Sequence, residues 1–380
     1  MTTIVRIETF LVEPGWVFTR IEDSDGCFGW GEAGTQLWAP SVRAAIDHLA
    51  PRLLGIDAHR IEEVWQLAQR LNFFVGGPII GAAVSAIDIA LWDLLGRMLG
   101  QPIHGLLGGQ VRDRIAAYAW VGQSEDPEPS ELAEHARSKI DAGYFGVKMT
   151  AANYEPCHTH AVVLRVRRQA KALRDAVGEA GRFAIDLHGR YDSSDSIRLL
   201  DAIRDLDPWF VEEPVRPEQV DQLARVVRST TVPIATGERA YSRAEFRHLA
   251  ETGIAIAQPD VAMAAGISET RRIASFVETY GIAVIPHCAI GPLALAATLQ
   301  IATVSPNAIA VEQDADHFLA HFARYVDASI FEPREGYVEI PNAVGLGVEV
   351  DEVAVRDSDR IGRTSQTQIT RHPDGSLADW

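Results

Sequence analysis

Three stretches decide the reading of this sequence: RFAIDLH (residues 182–188), WFVEEP (209–214) and PIATGE (233–238). Each carries a carboxylate after a short, mainly apolar run. The three carboxylates, Asp186, Glu212 and Glu238, are evenly spaced, since 212 minus 186 and 238 minus 212 are both 26. Working outward, AAYAWV (116–121) and FGVKM (145–149) precede them, and IAIAQPD (254–260), AVIPHC (283–288) and AIAVEQ (308–313) follow, with amphipathic helical patterns between. Strand and helix in strict alternation imply parallel strands joined by crossover helices. Eight such runs fit a closed (β/α) barrel of the TIM type better than an open sheet.

The first 110 or so residues have a different style. IVRIETFLV (4–12) and WVFTRIEDSDGCFGWGEA (16–33) alternate apolar and polar residues, with Asp25-Gly26 as a turn between two runs, as in an antiparallel meander. Residues 41–100 are helical in pattern and end in SAIDIALWDLLGRMLG. There Ala86, Ile87, Ala90, Leu91, Leu94 and Leu95 form an apolar stripe, stopped by Gly100 and Pro102.

At 380 residues and 47% hydrophobic composition, the chain can hold one large domain and a smaller companion. Three cysteines, Cys27, Cys157 and Cys288, make no disulfide framework, and MTTIVRIETFLVEP lacks the apolar run of a signal peptide or anchor, so a cytoplasmic protein is expected. The formal net charge of −17, with no basic patch, disfavours a nucleic acid or an anionic membrane as partner. An anionic small substrate fits only where a bound cation reverses the local field.

In a barrel of this kind the C-terminal strand ends form the active face. Nearly every run here ends on a polar residue: Lys148, Asp186 with His188, Glu212, Glu238, Asp260, His287 and Glu312. Adjacent strands lie about 5 Å apart, so Asp186, Glu212 and Glu238 at one height converge. Their mutual repulsion is relieved by a hard divalent cation, and an oxygen-only donor set favours Mg²⁺. Glu213 competes with Glu212 for the ligand position; Glu212 is chosen. His188, two residues after Asp186, is expected on the same face of the strand. With His287 it supplies one base and one acid, and Asp260 is placed to hold the His287 tautomer. Cys157-His158-Thr159-His160 lacks a partner pair for a zinc site.

Gly29-Trp30-Gly31-Glu32, the helix 87–93 (IDIALWD), Gln258-Pro259-Asp260 and Pro286-His287 resemble the mandelate racemase and muconate lactonizing enzyme branch of the enolase superfamily. The likeness runs from about residue 4 to 355. FFVGGP (73–78), AIDLHGR, FVEEPV, ATGER, AAGISE and PHCAIGPLALAA look like the D-galactonate dehydratase group within it. The resemblance implies a (β/α)7β modified TIM barrel over 113–335, an α+β capping domain over 1–112, and a segment, 336–380, that returns to the cap. It implies Mg²⁺ on Asp186, Glu212 and Glu238, a homo-oligomer (dimer to octamer), and dehydration of a sugar acid through an enediolate. His287 would take the C2 proton, His188 would protonate the departing C3 hydroxyl, and Glu312 would help stabilise the enediolate. A base on the His287 strand serves acids of R configuration at C2.

Thr150 stands where racemases of this branch carry a second lysine, which removes a base from that face and argues against racemisation. Lys148 is left either as a cation beside substrate or metal or as a solvated lysine at a strand end. Thr150, Arg190 and Trp38 complete the substrate-contact candidates, with core packing the alternative for Trp38. Glu32, Gly76 and Gly77 are expected where the cap folds over the mouth. The 150–160 loop and Ala264-Ala265-Gly266 depart from the dehydratase pattern. The rival readings are an epimerase or cycloisomerase on the same barrel and a non-catalytic sugar-acid-binding homologue.

Overall fold

The computed structural model describes residues 2–34, 36–71, 73–122, 127–151, 160–313, 319–361, 371–372 and 374–377. The N-terminal alternation forms an antiparallel sheet of β1 (Ile4–Val12), β2 (Trp16–Asp23) and β3 (Phe28–Ala33), in that order. Helices α1 (Ala39–Leu53), α2 (Ile61–Arg70), α3 (Pro78–Leu99) and the single turn α4 (Ile103–Leu106) follow. Pro78 sits in the first turn of α3, and Gly100 ends the helix in the left-handed conformation at φ 62°. The apolar stripe foreseen on α3 is buried except for Leu95, which is half-buried, and most other α3 residues are buried too. The cause is contact on several sides, with β2 and β3, α1, α2 and a barrel helix. Helix α3 is long and apolar enough to cross a membrane, yet 78% of its most apolar window is buried in the protein. A Cβ on Gly29 would lie 2.3 Å from the Ala90 carbonyl oxygen, and one on Gly31 2.1 Å from that of Ala86. The glycines of the GWGE stretch therefore let helix and sheet backbones touch.

All eight apolar runs are strands. They are β4 (Arg114–Val121), β5 (Gly146–Thr150), β6 (Arg182–Asp186), β7 (Phe210–Glu212), β8 (Ile234–Thr236), β9 (Ile256–Ala257), β10 (Ala283–Val284) and β11 (Val311–Gln313). Seven helices alternate with them: α5 (Pro129–Asp141), α6 (His160–Val177), α7 (Ser193–Ile203), α8 (Val220–Arg228), α9 (Arg243–Glu251), α10 (Gly266–Glu278) and α11 (Pro292–Val304). Pairing is parallel along β10-β9-β8-β7-β6-β5-β4-β11, and a bridge between Val284 and Ala308 closes the ring. The architecture is a (β/α)7β barrel.

Ala116, Tyr118, Ala184, Phe210, Ala235, Ile256, Ile285 and Ala310 form one cluster, which strand alternation assigns to the lumen. Two residues further along their strands come Asp186, Glu212, Gln258, His287 and Glu312. The same alternation that fills the lumen thus lifts chemistry-bearing groups to the mouth. Past β11 come the single turn α12 (Leu319–Phe322), β12 (Tyr337–Glu339), antiparallel to the start of β4, and α13 (Glu352–Ile361), which packs on β1. There Leu11 N–H donates to Asp359 at 2.8 Å and Glu13 N–H to Ser358 Oγ at 3.0 Å.

Buried carboxylates fasten the N-terminal part to the barrel. Glu32 accepts the N–H groups of Leu293 (2.9 Å) and Ala294 (3.0 Å) at the start of α11, where helix N–H groups lack intrahelical partners. Asp88 does the same for Ser268 in the first turn of α10, at 2.9 Å from its N–H and 2.6 Å from its hydroxyl. Burial pushes the Glu32 carboxyl up to about 8 and the Asp88 carboxyl up to about 7, against the pull of these donors. Glu32, expected where the cap folds over the mouth, is fully buried there as a clamp, with its carboxylate packed on Gly291 and the start of α11.

Candidate active site

Asp186 and Glu212 are the last residues of β6 and β7 and stand opposite each other in register. Glu238 follows β8 by two residues. One carboxylate oxygen from each of the three lies within 4.8 Å of the others, a cluster able to hold a metal ion. Asp186 and Glu212 are buried, and the Glu238 side chain keeps 13% of its surface exposed. Burial and the Asp186 charge push the Glu212 carboxyl well above the ordinary range. Burial opposes the Asp186 charge as well, but His188 and Lys148 outweigh it and hold that carboxyl low.

Lys148 is 2% exposed, which removes the solvated-lysine alternative. Its ammonium reaches Glu212 at 2.9 Å, Asp186 at 3.4 Å and Glu312 at 2.6 Å. Those carboxylates keep it charged despite its burial, and Lys148 in turn holds Glu312 ionised against the cost of burial.

His287 Nδ1 and Asp260 Oδ2 are 2.6 Å apart, while Asp260 Oδ1 accepts the Ala262 N–H at 2.7 Å. Nδ1–H donating to Asp260 leaves Nε2 facing the mouth, 3.4 Å from Glu238 Oε2. Burial alone would lower the His287 pKa, but Glu238 and Asp260 outweigh it and raise it to about 10. His188 also stands by the triad, with Nε2 2.9 Å from Asp186 Oδ2 and its backbone N–H donating to Asp186 Oδ1 at 2.8 Å. Strand alternation is not the reason. β6 ends at Asp186, and His188 has φ 49° with Gly189 behind it at φ 67°, so a left-handed turn folds the ring back onto the strand end.

Thr150 ends β5, and its hydroxyl accepts the Trp120 indole N–H at 3.1 Å. Arg190 is half-buried in the turn after His188, its backbone N–H donating to the Leu187 carbonyl at 3.0 Å. Trp38 is 62% exposed, so it is not core. Gly76 and Gly77 both have φ 83° just ahead of α3, beside the exposed Phe73, Phe74 and Val75. Cys157, His158 and Thr159 lie outside the described residues, and His160 opens α6. Sequence reasoning gave no role to two residues at the site: Gln258, fully buried with neither amide atom hydrogen-bonded, and Arg239, which pairs beside the triad with Glu213, the rival candidate for the ligand position. A polar residue two places beyond a lumen position was the available signal for Gln258.

The Mandelate racemase / muconate lactonizing enzyme, N-terminal domain family matches residues 8–108, and the Enolase C-terminal domain-like family matches residues 131–354. The chain belongs to the mandelate racemase and muconate lactonizing enzyme branch of the enolase superfamily. This enolase-superfamily chain is 39% identical over 387 aligned positions to the D-galactonate dehydratase of Variovorax paradoxus (strain S110), spanning 99% of the chain and 100% of the relative. It is 38% identical over 384 to that of Ralstonia nicotianae, with the same coverage. The crystal structure of a mandelate racemase/muconate lactonizing enzyme from Sulfitobacter sp. superposes with a TM-score of 0.89 at 27% identity, covering 100% of both chains. In this member of the superfamily, the triad, both histidines, Asp260 and Glu312 all come from the segment that matches the C-terminal domain.

Proposed function

We propose that the chain is a magnesium-dependent sugar-acid dehydratase, converting an aldonate such as D-galactonate or D-gluconate to the 2-keto-3-deoxy acid. The observation that carries the reading is the meeting of an oxygen-only carboxylate triad with two histidines, one of them paired to a buried aspartate. Full-length likeness to D-galactonate dehydratases supports it. Asp186, Glu212 and Glu238 suit Mg²⁺, because three oxygen donors, two of them buried, that repel one another favour a hard divalent cation. Bound there, Mg²⁺ supplies Lewis-acid polarisation of the substrate carboxylate, which brings the neighbouring C–H within reach of a histidine base.

In this reading His287 Nε2 takes the C2 proton while Asp260 holds Nδ1–H and stabilises the imidazolium. The charge of Glu238, one of the groups that raise His287, is then shared with the cation, which frees Nε2 to act as a base. His188 gives a proton to the C3 hydroxyl, which leaves as water, and the resulting enol tautomerises to the ketone. Glu312 is held ionised by Lys148, so it acts on the enediolate by keeping the Lys148 charge in place. The Thr150 hydroxyl is bonded to Trp120, and no second base stands at the end of β5 among the described residues, which favours water loss over racemisation.

The test is a screen of the protein with Mg²⁺ against aldonic and aldaric acids, detecting 2-keto-3-deoxy products. Turnover of an acid of R configuration at C2 is expected. Solvent deuterium entering C2 without water loss would instead mark an epimerase, and thermal stabilisation by an acid that is never turned over would mark a binding protein.

A further inference from the structure

Glu213 and Arg239 take no part in the reaction above, yet each directly follows a residue of the triad, Glu212 and Glu238. Glu213 has φ 45°, left-handed backbone that side chains beyond glycine rarely adopt. The kink turns its carboxylate away from the cluster and into the gap between β7 and β8. One oxygen accepts from Arg239 through Nε at 2.8 Å and through Nη2. The other accepts the Thr236 hydroxyl and, at 3.4 Å, the Gly237 N–H. The Glu213 backbone adds a bond to each flanking strand end: its N–H donates to the Ala235 carbonyl at 3.0 Å, and its carbonyl accepts the Gly189 N–H at 2.8 Å. Gly189 follows His188, and a Cβ there would lie 2.5 Å from Arg239 Nη2. Arg239 Nε also stands 4.0 Å from Glu238 Oε1.

We infer that the Glu213–Arg239 pair is a positioning device: it sets the separation of Glu212 from Glu238 and the direction of the His188 turn. The inference rests on reading the triad as a metal site. Because both Glu213 oxygens are occupied, Glu213 does not compete for the ion. Two N–H groups of one planar guanidinium converging on a single carboxylate oxygen fix the direction of approach as well as the distance, which a lysine in place of Arg239 cannot do. Groups that orient ligands in this way typically govern metal affinity by about ten- to a hundredfold.

The test is calorimetric titration of Mg²⁺ alone into the full chain, for wild type, Glu213→Gln, Arg239→Met, the double variant and Arg239→Lys, with the melting temperature of each metal-free protein measured alongside. Each of the first two variants should bind Mg²⁺ about ten- to a hundredfold more weakly. The double variant should bind no more weakly than the weaker single, since both remove one device. Arg239→Lys, the variant with the least structural disturbance, should lose several-fold and carries the test should Arg239→Met not fold. A lowered melting temperature with Mg²⁺ affinity within twofold of wild type would make the pair merely structural and overturn the inference, as would additive losses in the double variant. Wild-type protein that binds no Mg²⁺ would remove the triad reading itself, whereas equal binding by wild type and variants removes only this inference.

Discussion

His287 and His188 are assigned different proton transfers because they are bonded to different partners. His287 Nδ1 is bonded to Asp260, so Nε2, beside Glu238, is the atom that accepts once the ion shares the Glu238 charge. His188 Nε2 faces Asp186, at the heart of the triad, and is placed to donate. His287→Asn should therefore abolish both dehydration and exchange of the C2 proton in D₂O, a loss of about 10²-fold or more for a missing general base. His188→Asn should stop dehydration and leave exchange, because the enediolate can form and revert without a proton for the leaving hydroxyl. Exchange that survives in the His287 variant and vanishes in the His188 variant would reverse the roles. At the same scale, Glu212→Gln should weaken Mg²⁺ by replacing a charged carboxylate donor with a neutral amide. Glu213→Gln leaves all three donors in place, so equilibrium dialysis should show the smaller loss there. Equal loss would mean that Glu213 is itself a ligand.

At the level of elements, the eight strands were legible because parallel strands buried on both faces read as short, continuous apolar runs between helical patterns. Their lengths were less so: IAIAQPD yields only Ile256–Ala257 and AVIPHC only Ala283–Val284 as strand. The turns at His188 and Glu213 could not be read from sequence, because left-handed backbone at a residue other than glycine has no signature. The clamp made by Glu32 was not legible either, because nothing in the GWGE stretch announces that its carboxylate is buried against the start of α11. That clamp carries a pH dependence. The folded pKa of about 8 lies above the ordinary carboxylate value, so folding holds a proton that the unfolded chain releases. The stabilisation is complete below the unfolded pKa and is lost as the pH rises through about 8. Melting temperatures between about pH 5 and pH 9 should fall more steeply for wild type than for Glu32→Gln, which keeps an acceptor for Leu293 and Ala294. Parallel curves would refute this account of the clamp.

Across the whole molecule, the barrel gathers several carboxylates at one mouth of a chain that is already strongly anionic, with Lys148 buried among them. Mg²⁺ that binds only the folded protein stabilises it by mass action, about 2.7 kcal/mol at a hundredfold excess over Kd. For a chain of this length that is a rise of about 3 °C in melting temperature. Asp186→Asn should lose the rise, and an unchanged melting temperature in wild type would argue against a resident ion. The most direct measurement is water loss from D-galactonate, or from the best acid of the screen, followed in protein stripped by EDTA and then titrated with Mg²⁺. The account predicts no 2-keto-3-deoxy product from the stripped enzyme and a saturable return of activity with the ion; full activity in rigorously metal-free protein would contradict it.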